Sequence, residues 1–248
     1  MGMSDESSLQ WTARAPLEVL TDPGAEREGL VVAFTDRRGG VSAAPWNWLN
    51  LSGRVGDEPA DVQTNHGRTA TALGVGPSSL RFADQVHGSR VLSCDGTDGP
   101  VVGEGDALVA RLPGTTLSIL TADCVPVLLR GERGIAAAHA GWRGLAAGVI
   151  EAAMAEVGPI DAAWVGPSIR ACCYEVGREV IESFEAAGLP IEDDSHVDPN
   201  DAAAAILERG AARRVATASG CTSCDDRFFS HRRDGTTGRQ GAFIALLG

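Results

Sequence analysis

The chain has 248 residues, 44% of them hydrophobic, which fits one large domain or two small ones and a core that hides roughly three quarters of the unfolded surface. Its formal charge is −12, from 33 acidic side chains against 21 basic ones that are all arginine. Nucleic acid and anionic membrane are therefore repelled overall, a phosphate-bearing ligand needs a local arginine cluster, and the lack of lysine excludes a Walker A loop, a pyridoxal Schiff base and other lysine-dependent covalent chemistry.

Residues 1–29 read as a polar N-terminal arm and an irregular lead-in, and 30–248 as a single catalytic domain. Met1–Gln10 carries no apolar signal segment, so the six cysteines read as thiols of a cytoplasmic protein. No run approaches the roughly 20 apolar residues of a membrane span. A β-prone strand is predicted over Leu30–Thr35, broken by Gly39-Gly40, and a helix over Asp61–Leu73 that stops at Gly74. Short β-like runs follow at Arg90–Ser93 and Ala107–Ala110. Thr116–Leu129 reads as two strand pieces with Cys124 at the break made by Asp123 and Pro126, and Gly134–Ala138 as a buried strand ending at His139. Leu145–Val157 has the pattern of an amphipathic helix stopped by Gly158-Pro159. Ala162–Val165 reads as a strand, Arg178–Ala187 as a helix, Leu189–Asp201 as an acidic loop, Ala202–Ala211 as a helix, Val215–Ala218 as a strand and Gly241–Leu247 as the closing segment. The mixture predicts an α/β to α+β fold, a single compact domain of mixed sheets with flanking helices in a layered sandwich.

Three segments set a soft metal ligand beside small residues or proline: Ala83–Gly88 with His87, Thr121–Pro126 with Cys124, and His139–Gly144 with His139. Imidazole and thiolate are donors zinc prefers, and three ligands leave a position for water or substrate, as catalytic zinc requires. Each has a plainer reading: a solvated loop histidine, an inert buried thiol, a satisfied histidine at a strand end. Arg143, in the first turn of the next helix, opposes the helix dipole unless an anion sits there; the alternative is a surface arginine packed on Trp142. Arg37-Arg38 and Arg232-Arg233 are further arginine-plus-turn pairs that could grip phosphate. Asp123 either orients a ligand imidazole, accepts a proton or caps the turn. Cys172-Cys173 and Cys221-x-x-Cys224 suggest a Cys₄ knot or a redox pair, but vicinal cysteines have the wrong spacing for a knuckle, so both pairs read as thiols without a role.

Phe34–Ser42, Asn50-Leu51-Ser52, the three ligand segments, Gly166–Ile169 with Cys172–Val176, and Phe228–Gly235 together resemble, in order, the laccase-domain family named for multicopper polyphenol oxidases. The resemblance implies His87, Cys124 and His139 as zinc ligands and a zinc-dependent purine nucleoside phosphorylase that converts adenosine, and also inosine, guanosine and 5′-methylthioadenosine, with adenosine deaminase as a side activity. It favours Arg37 over Arg38. Cys124, Asp123 and Arg143 are the candidate catalytic residues. Arg37, Asn50, Gln85, Arg143, Arg232 and Arg233 are candidates for holding nucleoside and phosphate. The chain departs from the family pattern at Ile169–Cys172, where a Gly-Pro pair commonly precedes the cysteines, and over Val197–Leu207.

Other functions fit the same atoms. Some relatives resemble peptidoglycan editing factors acting on cell-wall precursors, and Cys124 with His139 as its base could form a cysteine hydrolase. Copper oxidation of phenols is disfavoured, because five histidines without a His-x-His pair cannot build an oxygen-reducing cluster. Oligomeric state, monomer or dimer, is left open.

Overall fold

The structure is a computed structural model that describes residues 9–96 and 99–247, so the expected polar arm lies outside them up to Ser8. The chain opens with β1 (Gln10–Arg14), β2 (Leu17–Thr21), α1 (Pro23–Arg27), β3 (Leu30–Thr35) and α2 (Pro59–Leu73). There follow β4 (Leu80–Asp84), β5 (Val91–Ser93), β6 (Val101–Glu104), β7 (Ala107–Ala110), β8 (Thr116–Thr121), β9 (Val125–Gly131) and β10 (Gly134–Ala140). The last part holds α3 (Trp142–Ala146), α4 (Val149–Val157), β11 (Ile160–Val165), α5 (Arg178–Ala186), α6 (Pro199–Arg209), β12 (Val215–Thr217), α7 (His231–Asp234) and β13 (Gln240–Leu246).

Two sheets result. One has the order β1-β2-β3-β13-β8-β4-β6 and the other β12-β11-β9-β10-β7-β5. Strands β9 and β10 are apolar on both faces because each face is covered. Val125, Val127, Ala136 and Ala138 point into a core shared with α4, α5 and α6, while Leu128, Ile135 and Ala137 point into a core shared with the first sheet. A third core, with Phe82, Leu80 and Phe243, lies under α2 on the outer side of the first sheet. The layers therefore run helix, sheet, sheet, helix, an α+β sandwich. Trp164 on β11 is fully buried between the sheets and donates its indole N–H to Asp22 Oδ2 at 2.8 Å. Truncating it to alanine is expected to cost roughly 3–5 kcal/mol.

Several expectations are corrected. The lead-in forms a hairpin, with β1 antiparallel to β2 and β2 paired to β3. Strands β4 and β6 were not predicted. The helix over Leu145–Val157 is two helices, because Gly148 takes φ 80° between α3 and α4. The acidic loop ends early: Asp198 caps α6 by accepting from the N–H of Asn200 and Asp201. His139 lies within β10 and not beyond it.

Strands β4, β6 and β8 lie side by side in the first sheet, with β4 parallel to both β6 and β8. Each is followed by a crossover to the second sheet: residues 85–90 lead to β5, 105–106 to β7 and 122–124 to β9. Since β10 is antiparallel to both β7 and β9, its C-terminal end arrives where those two begin. β13 starts opposite Thr121, which brings residue 239 to the same edge. The topology thus gathers His87, Asp106, Cys124, His139 and Arg239 at one end of the sandwich.

Candidate metal centre

His87, Cys124 and His139 each place a donor atom within 4.8 Å of the other two. Cys124 Sγ lies 3.9 Å from His87 Nε2, and the two imidazoles meet edge to face with centroids 4.8 Å apart. Gly141, one step past the Ala140–Val125 pair, permits this approach: a Cβ there would sit 3.0 Å from both Cys124 Sγ and His87 Cδ2.

Behind the triad lies a residue that the sequence reading missed. Asp106 is fully buried; its Oδ1 is 2.8 Å from His139 Nδ1 and its carboxylate accepts the N–H of Val86, His87 and Gly88. Burial would raise its pKa, but the hydrogen bond from His139 and those backbone donors win and hold it below the ordinary carboxylate value. The bond fixes His139 with Nδ1 turned inward, leaving Nε2 for a ligand. The same carboxylate also holds the turn in which His87 adopts φ 62°, a conformation uncommon for a residue with a side chain.

The sulfur and the buried imidazole favour opposite charges. Burial pushes the Cys124 thiol up, yet the charge and hydrogen bonds of His139 and His87 overcome this and bring it down to about 6. Burial pushes His139 down, and the attraction of Cys124 with the hydrogen bond to Asp106 lifts it to about 9. A cation among the three donors would take the place of that proton.

The triad opens into a cavity of about 370 Å³ lined also by Ser52, Arg54, Gln85, Thr121, His231 and Arg239. Arg239 is the basic group deepest in this wall. Its Nη1 donates to the carbonyls of Thr237 and Gly238, whereas Nε and Nη2 make no hydrogen bond among the described residues. Burial lowers its pKa, opposed by the charges of Cys124 and Asp123. Arg54 is more exposed and pairs with Asp84 at 3.0 Å. His231 Nδ1 lies 2.7 Å from the Gly235 carbonyl, which can only accept, so Nε2 carries the free lone pair.

The other expected residues stand differently. Arg143 does begin α3, but its guanidinium stacks 4.1 Å over Trp142, pairs with the exposed Glu179 at 3.6 Å and does not line the cavity. Arg37 donates to the Asn47 carbonyl and stacks on Phe229, and Arg232 donates to the carbonyls of Cys173 and Glu175. Arg233 is spent on Asp234 and on the carbonyls of Thr222, Ser223, Asp225 and Phe228. Gln85 lines the cavity with its amide clamped to both backbone groups of Leu120. Asn50 is buried and accepts from the N–H of Ser52 and Arg239, so it positions Arg239. Asp123, at φ 91°, touches no imidazole; its oxygens accept from Thr222 Oγ1 at 2.6 Å and from the N–H of Arg232 at 2.7 Å. Asp106, Arg239 and His231 carried faint signals: an acid opening an apolar strand, a charge after Gly238 at a strand start, and a histidine within the matching stretch Phe228–Gly235.

The pattern of the family described as multi-copper polyphenol oxidoreductase laccase matches residues 31–247. A Streptomyces coelicolor protein named purine nucleoside phosphorylase SCO2081 is 42% identical over 238 residues, covering 88% of this chain and 96% of that protein. The Escherichia coli protein named purine nucleoside phosphorylase YfiH is 38% identical over 234 residues, covering 89% and 95%. A crystal structure of a hypothetical protein YfiH from Bacillus licheniformis superposes with a TM-score of 0.85 at 28% identity, covering 95% of this chain and 98% of that one.

Proposed function

This chain belongs to the multi-copper polyphenol oxidoreductase laccase family, and we propose that it works as a zinc-dependent purine nucleoside phosphorylase and not as a copper oxidase. The observation that carries this reading is the joint placement of a His87/Cys124/His139 donor set and the guanidinium of Arg239 on one cavity wall. The names of the similar phosphorylases support it. The cavity volume falls at the lower end of the range for small-molecule sites, roughly 300–1,000 Å³.

Zinc fits these residues. Across two tetrahedral zinc bonds a sulfur and a nitrogen stand about 3.5 Å apart, so the 3.9 Å between Cys124 and His87 closes with a shift of a few tenths of an ångström. The Gly141 hollow leaves the space, and Asp106 supplies the outer partner that ligating imidazoles commonly have. Copper fits less well: of the five histidines, His66 is stacked on Phe82 and His196 is tied to Asp193, which leaves no second imidazole cluster among the described residues. A zinc ion here would supply Lewis-acid polarisation of a substrate oxygen or ring nitrogen.

In phosphorolysis the C1′–N9 bond of the nucleoside breaks while a phosphate oxygen bonds to C1′, and the purine leaves with the bonding pair and gains a proton. Arg239 holds the phosphate with its free N–H groups, helped by Arg54 at the rim, and Asn50 fixes the backbone of Arg239. We assign phosphate to these two side chains because both line the cavity, whereas Arg37, Arg143, Arg232 and Arg233 do not. His231 accepts a hydrogen bond from a ribose hydroxyl or the purine edge through Nε2. Leu120, Ala83 and Val55 supply apolar surface and exclude water beside the sugar. Adenosine is the main substrate, with inosine, guanosine and 5′-methylthioadenosine as further ones and adenosine deamination as a side activity.

Chromatography of adenosine incubated with the enzyme at varied phosphate tests this. Adenine and pentose 1-phosphate formed in proportion to phosphate are the expected result. Adenine released equally fast without phosphate, or inosine as the only product, overturns it. The low Cys124 pKa also suits a cysteine hydrolase, in which chelation would leave turnover intact and iodoacetamide would abolish it.

A further inference from the structure

The two cysteine pairs set aside as thiols without a role converge. Cys172, Cys173, Cys221 and Cys224 hold their four sulfurs within 4.8 Å of one another, outside the cavity already described. Parallel strands β11 and β12 deliver their following loops at the same end, and an isolated bridge pairs Ser168 with Cys221. The vicinal spacing that argues against a knuckle is overridden by a tight turn: Cys173 and Tyr174 both donate to the Arg170 carbonyl, which turns both vicinal sulfurs toward Cys224.

We propose that these four cysteines form a second, structural zinc site, closed by four thiolates and independent of the catalytic triad. Zinc–sulfur bonds of about 2.3 Å at tetrahedral angles put neighbouring sulfurs about 3.8 Å apart. The Cys172–Cys173 separation is 3.9 Å and the Cys172–Cys224 separation 3.7 Å, both at that edge length; Cys173–Cys224, at 3.2 Å, widens by about half an ångström to reach it. Cys221-Thr222-Ser223-Cys224 has the form of a zinc knuckle: the N–H of Cys224 and Asp225 turn back to the Cys221 carbonyl, and the N–H of Arg170 reaches Cys221 Sγ at 3.3 Å.

The charge distribution agrees. Burial opposes ionisation of Cys221, but the backbone N–H groups of Arg170, Cys224 and Ser223 outweigh it and hold the thiol below its ordinary value. Burial, with the contacts to Cys221 and Cys173, pushes Cys172 up against the opposing contact with Cys224, and Cys173 and then Cys172 push Cys224 up.

Such an ion would join loops that touch the first site. Thr222, inside the knuckle, donates to Asp123, the residue before Cys124, and Arg232 donates to the carbonyls of Cys173 and Glu175. The four-sulfur ion has no position open for substrate, so its work is to fix this wall.

Elemental analysis of the full-length protein, purified with reductant and loaded with zinc, is expected to give about two zinc ions per chain. Cys172→Ser/Cys224→Ser is expected to give about one and to keep the zinc of the triad, while His139→Ala loses only the other. Cobalt(II) in the His139→Ala protein is expected to show the strong visible absorption of a tetrahedral four-thiolate centre. If the double variant does not fold, mass-mapped alkylation of the wild type decides: zinc should shield the exposed Cys172 and Cys224 from iodoacetamide. One zinc in the wild type, no change in zinc on the double substitution, no shielding, or a Cys173–Cys224 disulfide in reduced protein would each overturn the proposal. None of these readouts depends on turnover, so the phosphorylase reading stands or falls separately.

Discussion

At the triad, His87, Cys124 and His139 arrive from two separate crossovers and a strand end, and a buried carboxylate fixes the two histidines. The four-sulfur cluster is made from two loops, each carrying a pair, with two of its sulfurs exposed. The first is assembled by the whole sandwich and offers three donors beside a cavity; the second is local and offers four. The contrast teaches that donor number and exposure, more than the presence of cysteine, separate a site for chemistry from a site for cohesion.

The largest expected effect that separates them is His139→Ala. Base release should fall to the blank and the triad's zinc should be lost, while the zinc of the four cysteines stays; a combined loss would show that the two are one unit. Next, Asp106→Asn should weaken zinc at the triad by roughly 10- to 100-fold in a chelator competition, because the outer partner of His139 changes from anion to amide. Arg239→Ala should raise the phosphate concentration for half-maximal base release by roughly 10- to 100-fold with zinc retained. Arg143→Ala, which removes an exposed pair, should change it by less than about threefold.

The smallest effect concerns Cys94, which belongs to neither cluster. Burial pushes its thiol up from 9.0 to about 12. Since the folded value is raised, its contribution to stability is complete below pH 9 and is lost as pH rises towards 12. Native Cys94 should stay unmodified by iodoacetamide at pH 8 and react on unfolding, and removing its thiol by Cys94→Ala should soften the fall in stability above pH 9.

That His87, Cys124 and His139 converge was legible from three segments that set a soft donor near glycine, alanine or proline, two of them after apolar runs, together with the family resemblance. The supporting residues were not. Asp106 looks like any acid before a strand until the fold brings 86–88 and 139 around it. Arg143 was read from a correct position, a helix start, but Trp142 offers its guanidinium a ring face and draws it away from the cavity. The hairpin of β1 and β2 was hidden because Arg14, Glu18 and Pro16 mask two short alternating runs. The cysteine cluster depends on the parallel pairing of β11 with β12, which no local spacing reports.

The passage of the chain from sheet to sheet at residues 122–124 makes Cys124 part of the seam that joins the two halves of the sandwich. An ion held there would act as a rivet, because His87 follows a strand of one sheet and His139 lies near the end of a strand of the other. Prying the sheets apart would then have to break the coordination first. Zinc at about a hundred times its dissociation constant would add about 2.7 kcal/mol to the unfolding free energy, and slow amide exchange should spread into both sheets together.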